Sequence, residues 1–271
     1  MKKRVITGVL LAAALVVLLV CGGAVMAAAA LVCVCVAMQE EYRALKVAGN
    51  RPVAWPTWVG MVLSIPLAVL CGTQVLVPLM MGAFLLTSVC VMFRPQPRLE
   101  DALLSIMPLF TVMLPGMCVV AMSLIQPRGL QATLLLLTFA TPCIGDMFAF
   151  FAGSRLRGPK FCPAVSPNKT ISGAVAGLIG SLLTALIIGL AAYLCATPGT
   201  RLLLPTWWQY ALIGIIGGAA SQMGDLWASM VKRHCGLKDF SNLFPGHGGM
   251  LDRIDSILFM AMVVFCFVLI I

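Results

Sequence analysis

Between Ser221 and Ser256 the chain reads SQMGDLWASMVKRHCGLKDFSNLFPGHGGMLDRIDS. This window holds Asp225, Asp239, Asp252 and Asp255, four of the nine acidic residues, together with both histidines. Ser221, Asp225, Ser229 and Arg233 recur at four-residue steps, which puts them on one helical face with Lys232 close beside it. Asp225 lies about 10 Å along the helix from Lys232. A polar contact between helices is the plain alternative for this ridge. Asp252 and Asp255, at i and i+3, face the same way, and two carboxylates forced together call for a cation between them. Oxygen-only ligands beside phosphates favour Mg²⁺ over a transition metal. A helix N-terminal cap would need only one such acid. In Pro245-Gly246-His247-Gly248-Gly249 the glycines allow consecutive N–H groups to converge on an anion such as a phosphate, or simply form a tight turn.

Asp146 is a further acid in an apolar stretch, TPCIGDMFAFFAGSRLRG, and the Ser166-Pro167-Asn168-Lys169-Thr170 element follows it. Lys169, Lys232, Arg233 and Lys238 supply cations for a polyphosphate, while the acids can hold metal. Phosphoryl or nucleotidyl transfer requires that division of labour, because metal and basic side chains both stabilise charge on a phosphorus in flight.

These residues must be positioned by an oily scaffold. The 271 residues are 61% hydrophobic and 10% charged, with apolar runs of about 20 residues, the length that spans a bilayer as a helix. The expected fold is an all-α polytopic integral membrane protein. Nine spans are expected at 5–21, 24–40, 55–71, 74–93, 104–124, 130–152, 171–195, 207–231 and 254–271. The start mimics a signal peptide, but apolar character continues to Met38, which instead suits two spans joined by a tight Gly22-Gly23 turn. With the N-terminus in the cytoplasm and the C-terminus outside, all of the 18 basic residues except Arg128 and Arg201 fall on inside segments. That asymmetry accounts for the net charge of +9 without nucleic acid. The 11 cysteines show no CxxC pair and read as small buried hydrophobes. A single membrane-embedded domain, 1–271, is expected, with an N-terminal helical part (1–130) and catalytic helices and cytoplasmic loops (131–271).

The pattern S-x-x-K-R-x4-K-D-F-x-x-x-x-P-G-H-G-G-x-x-D-R-x-D, from Ser229 through Asp255, resembles the signature of the phosphatidate cytidylyltransferase (CDP-diacylglycerol synthase) family. The SQMGDL, GD, FAGS and SPNKT elements and the opening KKRVITGVLL are similar to that family's as well. The resemblance implies a homodimeric enzyme of the plasma membrane, its active site facing the cytoplasm, joining CTP to phosphatidic acid with Mg²⁺. A phosphatidate oxygen would attack the α-phosphorus of CTP in line, and pyrophosphate would leave. Carried over by motif position, Asp225, Asp252 and Asp255 form the acidic metal centre, with Asp146 contributing. Lys232 joins the three aspartates in catalysis. Ser166, Lys169, Ser229, Arg233, Lys238, Asp239, His247 and Arg253 bind substrate. The family commonly has Glu-Gly after the SP-x-KT element, where this chain has Ser172-Gly173, so one carboxylate is replaced by a hydroxyl. Asn168 stands where lysine is frequent.

Two other readings compete. A transporter could build an ion site from Asp146, Asp225 and Asp252, but its charges would be expected near mid-membrane rather than crowded at one side. A related cytidylyltransferase acting on a different lipid phosphate, such as a polyprenyl one, is the alternative within enzymes.

Overall fold

The computed structural model describes residues 2–71 and 75–270. Helix α1 (Lys2–Cys21) and α2 (Gly23–Val47) meet at Gly22-Gly23, where both glycines take positive φ values of 58° and 54°. The expected Gly-Gly break is therefore present. Two helices follow, α3 (Trp55–Cys71) and α4 (Leu76–Met92). The expected start of the fourth apolar segment at residue 74, the final residue 271, and the side chains of Lys2, Lys3 and Arg4 lie outside the described residues.

Helix α5 (Leu99–Pro108) runs through a single π-helical turn (Leu109–Met113) into α6 (Leu114–Ser123). Pro115 has no N–H, so the carbonyl of Thr111 loses its i+4 donor and the ladder slips there by one residue. After α7 (Arg128–Leu156), strands β1 (Lys160–Cys162) and β2 (Ser166–Thr170) pair as a small antiparallel hairpin. This hairpin makes the connection between the sixth and seventh expected spans. Helix α8 (Ile171–Cys195), a short α9 (Pro198–Arg201), α10 (Trp207–His234) and α11 (Leu251–Ile270) complete the chain.

Each of the nine expected apolar segments coincides with helix. By length and composition, five helical stretches among the described residues can cross a membrane: 23–47, 99–123, 128–156, 171–195 and 251–270. Helix α10 falls outside that group because glycines, Gln222 and Asp225 dilute its apolar character. The architecture is consistent with an all-α membrane protein.

One cluster of buried side chains draws Met38 and Leu45 of α2, Val112 of the π turn and Leu258 of α11 together. Another joins Met122 of α6, Leu135 of α7, Ile213 of α10 and Met260 of α11. Helix α11 thus touches both halves of the chain. Helices α7 and α8 pack along most of their length, and they approach so closely that a Cβ at Gly145 would lie 2.4 Å from Ser181 Oγ.

Candidate functional site

Four elements deliver the candidate residues to one end of the bundle: the end of α7, the hairpin leading into α8, the last turns of α10, and the 235–250 loop that opens α11. Local chemistry fixes each of them. Thr170 caps α8, its Oγ1 accepting from the Gly173 N–H at 3.1 Å. Ser172, in place of the carboxylate expected there, stands in the first turn with its Oγ 3.2 Å from Thr170 Oγ1. Gln222 ties α10 to α8 by donating to the Ala174 carbonyl at 3.0 Å. Gly224 allows α10 and α11 to meet backbone to side, since a Cβ there would lie 2.6 Å from the Asp255 carbonyl oxygen. The residue after Gly224 is Asp225, so this contact sets the two acids against each other.

The resulting site is organised as carboxylate–lysine pairs. Asp225 Oδ2 lies 2.6 Å from Lys169 Nζ, an ion pair joining α10 to β2, with both side chains about one-third exposed. Its Oδ1 is 3.5 Å from Ser229 Oγ, one turn along the expected polar ridge. Asp252 Oδ1 lies 2.7 Å from Lys232 Nζ, and here both side chains are largely shielded. Lys232 also sits over the Phe240 ring, 5.5 Å from its centroid, which adds a cation–π attraction. The charges of Asp225 and Lys169 act on Asp146, and those of Asp225, Lys232 and Asp146 act on Asp255. Asp146, Asp225 and Asp255 therefore share one electrostatic neighbourhood with the two lysines.

Asp252 carries a structural task as well. Its Oδ2 accepts from the backbone N–H groups of Phe240 at 2.8 Å and Gly249 at 2.9 Å, so the carboxylate clamps both ends of the loop while holding Lys232. With three donors in place, Asp252 anchors the loop from the same position at which the resemblance expects a metal-facing acid.

The glycine-rich stretch forms a tight turn, one of the two forms expected of it. His247 N–H donates to the Phe244 carbonyl at 2.8 Å across Pro245-Gly246, with Gly246 at φ 80°. This is the sequence and geometry of a type II turn. Phe244 and Gly248 then form an isolated bridge. Beyond it the N–H groups that open α11 do converge on anions, but the anions belong to the protein. Gly249 donates to Asp252, Met250 to Glu40 Oε1 at 3.0 Å, and Leu251 to Glu40 Oε2 at 2.8 Å. Two carboxylates, Asp252 and Glu40, thus accept from the three N–H groups that open α11.

Sequence reasoning passed over Glu40 and its neighbour. Glu40 is buried on α2 and also accepts from Ser241 Oγ at 2.6 Å. Glu41 is buried too, accepting from Thr111 Oγ1 of the π turn at 2.9 Å, and it lines a small cavity together with Asp255 and Trp227. The available signal was the Glu40-Glu41 pair at the end of an apolar run, in a chain with only nine acids. Among the other expected binding residues, Arg233, Lys238, Asp239 and Arg253 are exposed, whereas Ser166 and His247 are partly buried.

Mg²⁺ is commonly bound by one or two carboxylates, completed by water and substrate phosphates, rather than by an all-protein cage. Among the described residues no three acidic, histidine or cysteine side chains form such a cage. Asp225, with Asp146 and Asp255 in electrostatic reach, supplies the hard oxygen donors that this mode of binding needs.

A model of the cytidylyltransferase family matches residues 2–271. Similar proteins include phosphatidate cytidylyltransferases from three bacteria. That of Brucella abortus is 38% identical over 142 residues, which is 52% of this chain and 48% of the relative. That of Bacillus subtilis is 43% identical over 114 residues, 42% of this chain and 39% of the relative. That of Staphylococcus saprophyticus is 33% identical over 177 residues, 65% of this chain and 63% of the relative. The chain spans about half the length of the curated relatives it matches.

Proposed function

The chain belongs to the cytidylyltransferase family, and from that premise we propose that it transfers the cytidylyl group of CTP to phosphatidic acid, giving CDP-diacylglycerol and pyrophosphate. The observation that carries this reading is the pair of ion pairs, Lys169–Asp225 at 2.6 Å and Lys232–Asp252 at 2.7 Å, beside Asp146 and Asp255. In each pair a carboxylate able to hold a metal thus stands beside an ammonium group able to hold a phosphate. Asp225, Asp252 and Asp255, with Asp146 contributing, would hold Mg²⁺, which when bound supplies neutralisation of the triphosphate and of the departing pyrophosphate.

Lys169 and Lys232 orient the phosphate chain from two sides. Lys169 comes from the hairpin and is paired with Asp225, whereas Lys232 is held by Asp252 and Phe240. Ser166, Arg233, Lys238, Asp239, His247 and Arg253 would contact the substrates. Ser229 supports Asp225 from one turn away. No side chain needs to act as a nucleophile, because the phosphatidate oxygen is itself the attacking group.

The same reading includes nine membrane spans with the N-terminus in the cytoplasm and the C-terminus outside, in the plasma membrane, and a homodimer. What supports the orientation is the distribution of basic residues. It is supported further by contacts that gather the end of α2, the hairpin and the 235–250 loop at one end of the bundle.

The decisive experiment gives the purified protein CTP, Mg²⁺ and phosphatidic acid, with a polyprenyl phosphate assayed in parallel. Release of pyrophosphate and formation of CDP-diacylglycerol is the expected result. Turnover only on the polyprenyl phosphate would reassign the lipid, and no turnover across lipids and metals would overturn the reading.

A further inference from the structure

Where α10 meets α11 lies a cavity of about 10 Å³, room for a single water. Its side-chain walls are apolar apart from Glu41 of α2, Thr111 of the π turn, Trp227 of α10 and Asp255 of α11. The Thr111 hydroxyl is already committed, donating at 2.9 Å both to Glu41 Oε2 and to the Met107 carbonyl. Asp255 Oδ1 accepts from the adjacent Ser256 N–H at 2.7 Å. Trp227 Nε1 is buried and, among the described residues, has no hydrogen-bond partner, so it bonds neither carboxylate directly. Two acceptors and one orphaned donor therefore line one small space.

We propose that a single water in this cavity accepts from Trp227 Nε1 and donates to Glu41 and to Asp255, which makes Glu41 and Trp227 positioning residues for the Asp255 carboxylate. The inference rests on the metal-binding role given to Asp255 in the cytidylyltransferase reading and adds what aims that acid. Hydrogen-bond chemistry selects the occupant. A buried N–H left unpaired costs free energy that an acceptor removes, and each carboxylate takes a further donor. Water carries two donors and two lone pairs, so one molecule answers all three groups. A monovalent cation would suit the two carboxylates, but it would face the positive end of the indole N–H dipole and leave that donor unpaired. The Ser256 bond restrains Asp255 from its own helix, and the water adds a restraint from α2 and α10 that fixes the rotation of the carboxylate. Loss of such an outer partner commonly costs about 10–100-fold in metal affinity or activity. The acid next to Glu40 thus gives α2 a second hold on the site, on a metal-facing acid rather than on the loop.

The test has two arms. The chain has five tryptophans, so the ultraviolet resonance Raman difference between wild type and Trp227→Phe isolates the Trp227 indole. It should show a hydrogen-bonded N–H, unchanged when Na⁺ and K⁺ are replaced by a bulky organic cation. An unbonded N–H, or a band that follows the monovalent cation, would overturn the proposal. In the second arm Mn²⁺, as a probe of the Mg²⁺ site, is titrated into lipid-free protein and followed by electron paramagnetic resonance. Trp227→Phe, which keeps an aromatic ring and loses the donor, should weaken Mn²⁺ binding about tenfold while leaving the KM for phosphatidate unchanged. Glu41→Gln should weaken it similarly, and the double variant no further than either single one, because both act through one water. Unchanged Mn²⁺ affinity in folded variants, or losses that multiply in the double variant, would also overturn it. Neither Raman nor Mn²⁺ binding needs turnover. A hydrogen-bonded Trp227 coupled to Mn²⁺ affinity in a protein that forms no CDP-diacylglycerol would sink the enzymatic reading and leave the water site standing.

Discussion

Glu40 and Leu251 are separated by 211 residues and joined by a 2.8 Å hydrogen bond, in which the α2 carboxylate accepts from the first N–H of α11. A second bond from Met250 and a third from Ser241 make Glu40 the acceptor on which the end of the loop rests. The N-terminal helices therefore hold the candidate site in register as well as surrounding it.

Glu40→Gln keeps the shape but removes the charge and turns one acceptor into a donor facing backbone N–H groups. Charge-assisted bonds of this kind contribute about 1.5–3 kcal/mol. Turnover is expected to fall at least tenfold and amide exchange across residues 240–251 to accelerate. Glu40→Asp should recover part of both. Unchanged exchange would show that the loop does not depend on this carboxylate.

Asp252 and Asp255 should separate in behaviour. Asp252→Asn breaks the Lys232 ion pair and should lower activity by orders of magnitude while speeding amide exchange in the loop. Asp255→Asn should lower activity as severely with exchange unchanged, because among the described residues its Oδ1 accepts from the adjacent Ser256, at 2.7 Å from N and 3.4 Å from Oγ, and not from the loop. Comparing turnover and exchange in the two variants checks the division between loop anchor and metal-facing acid.

Lys169→Met is expected to raise KM for CTP at least tenfold with thermal stability nearly constant. The Lys169–Asp225 pair is about one-third exposed, and pairs of that kind are worth roughly 0–1 kcal/mol to folding. A large drop in melting temperature would recast Lys169 as structural.

Gly248→Ala should destabilise the loop by about 1–3 kcal/mol. Gly248 has φ +83°, and an added Cβ would lie 2.9 Å from Asp252 Oδ2, against the very oxygen that receives two backbone donors. Loop proteolysis compared between wild type and variant reports the effect.

Much of the scaffold was legible because apolar runs of membrane length leave few alternatives. The helices arose where hydropathy placed them. Their ends did not all follow, because α2 continues to Val47 through QEEYRALKV, a segment whose acids are buried by distant partners. The π turn was hidden because Pro115 reads equally well as an ordinary helical proline until Thr111 is seen to reach Glu41. The polar ridge of α10 was readable from four-residue spacing alone. The turn at Gly246–Gly249 was readable only as something that gathers N–H groups. Which anion they gather depends on Glu40, and no local pattern connects residues so far apart.

The two lysine–aspartate pairs have one more consequence, for how the resting site responds to visitors. Each cation is already parked on an anion, so a free inorganic anion entering alone must pull a lysine away and strand an aspartate. A free cation must do the reverse. A visitor bearing both signs at once can satisfy both partners in a single exchange and strand neither. The site thus favours the two components joined over either presented singly, most of all at the shielded Lys232–Asp252 pair.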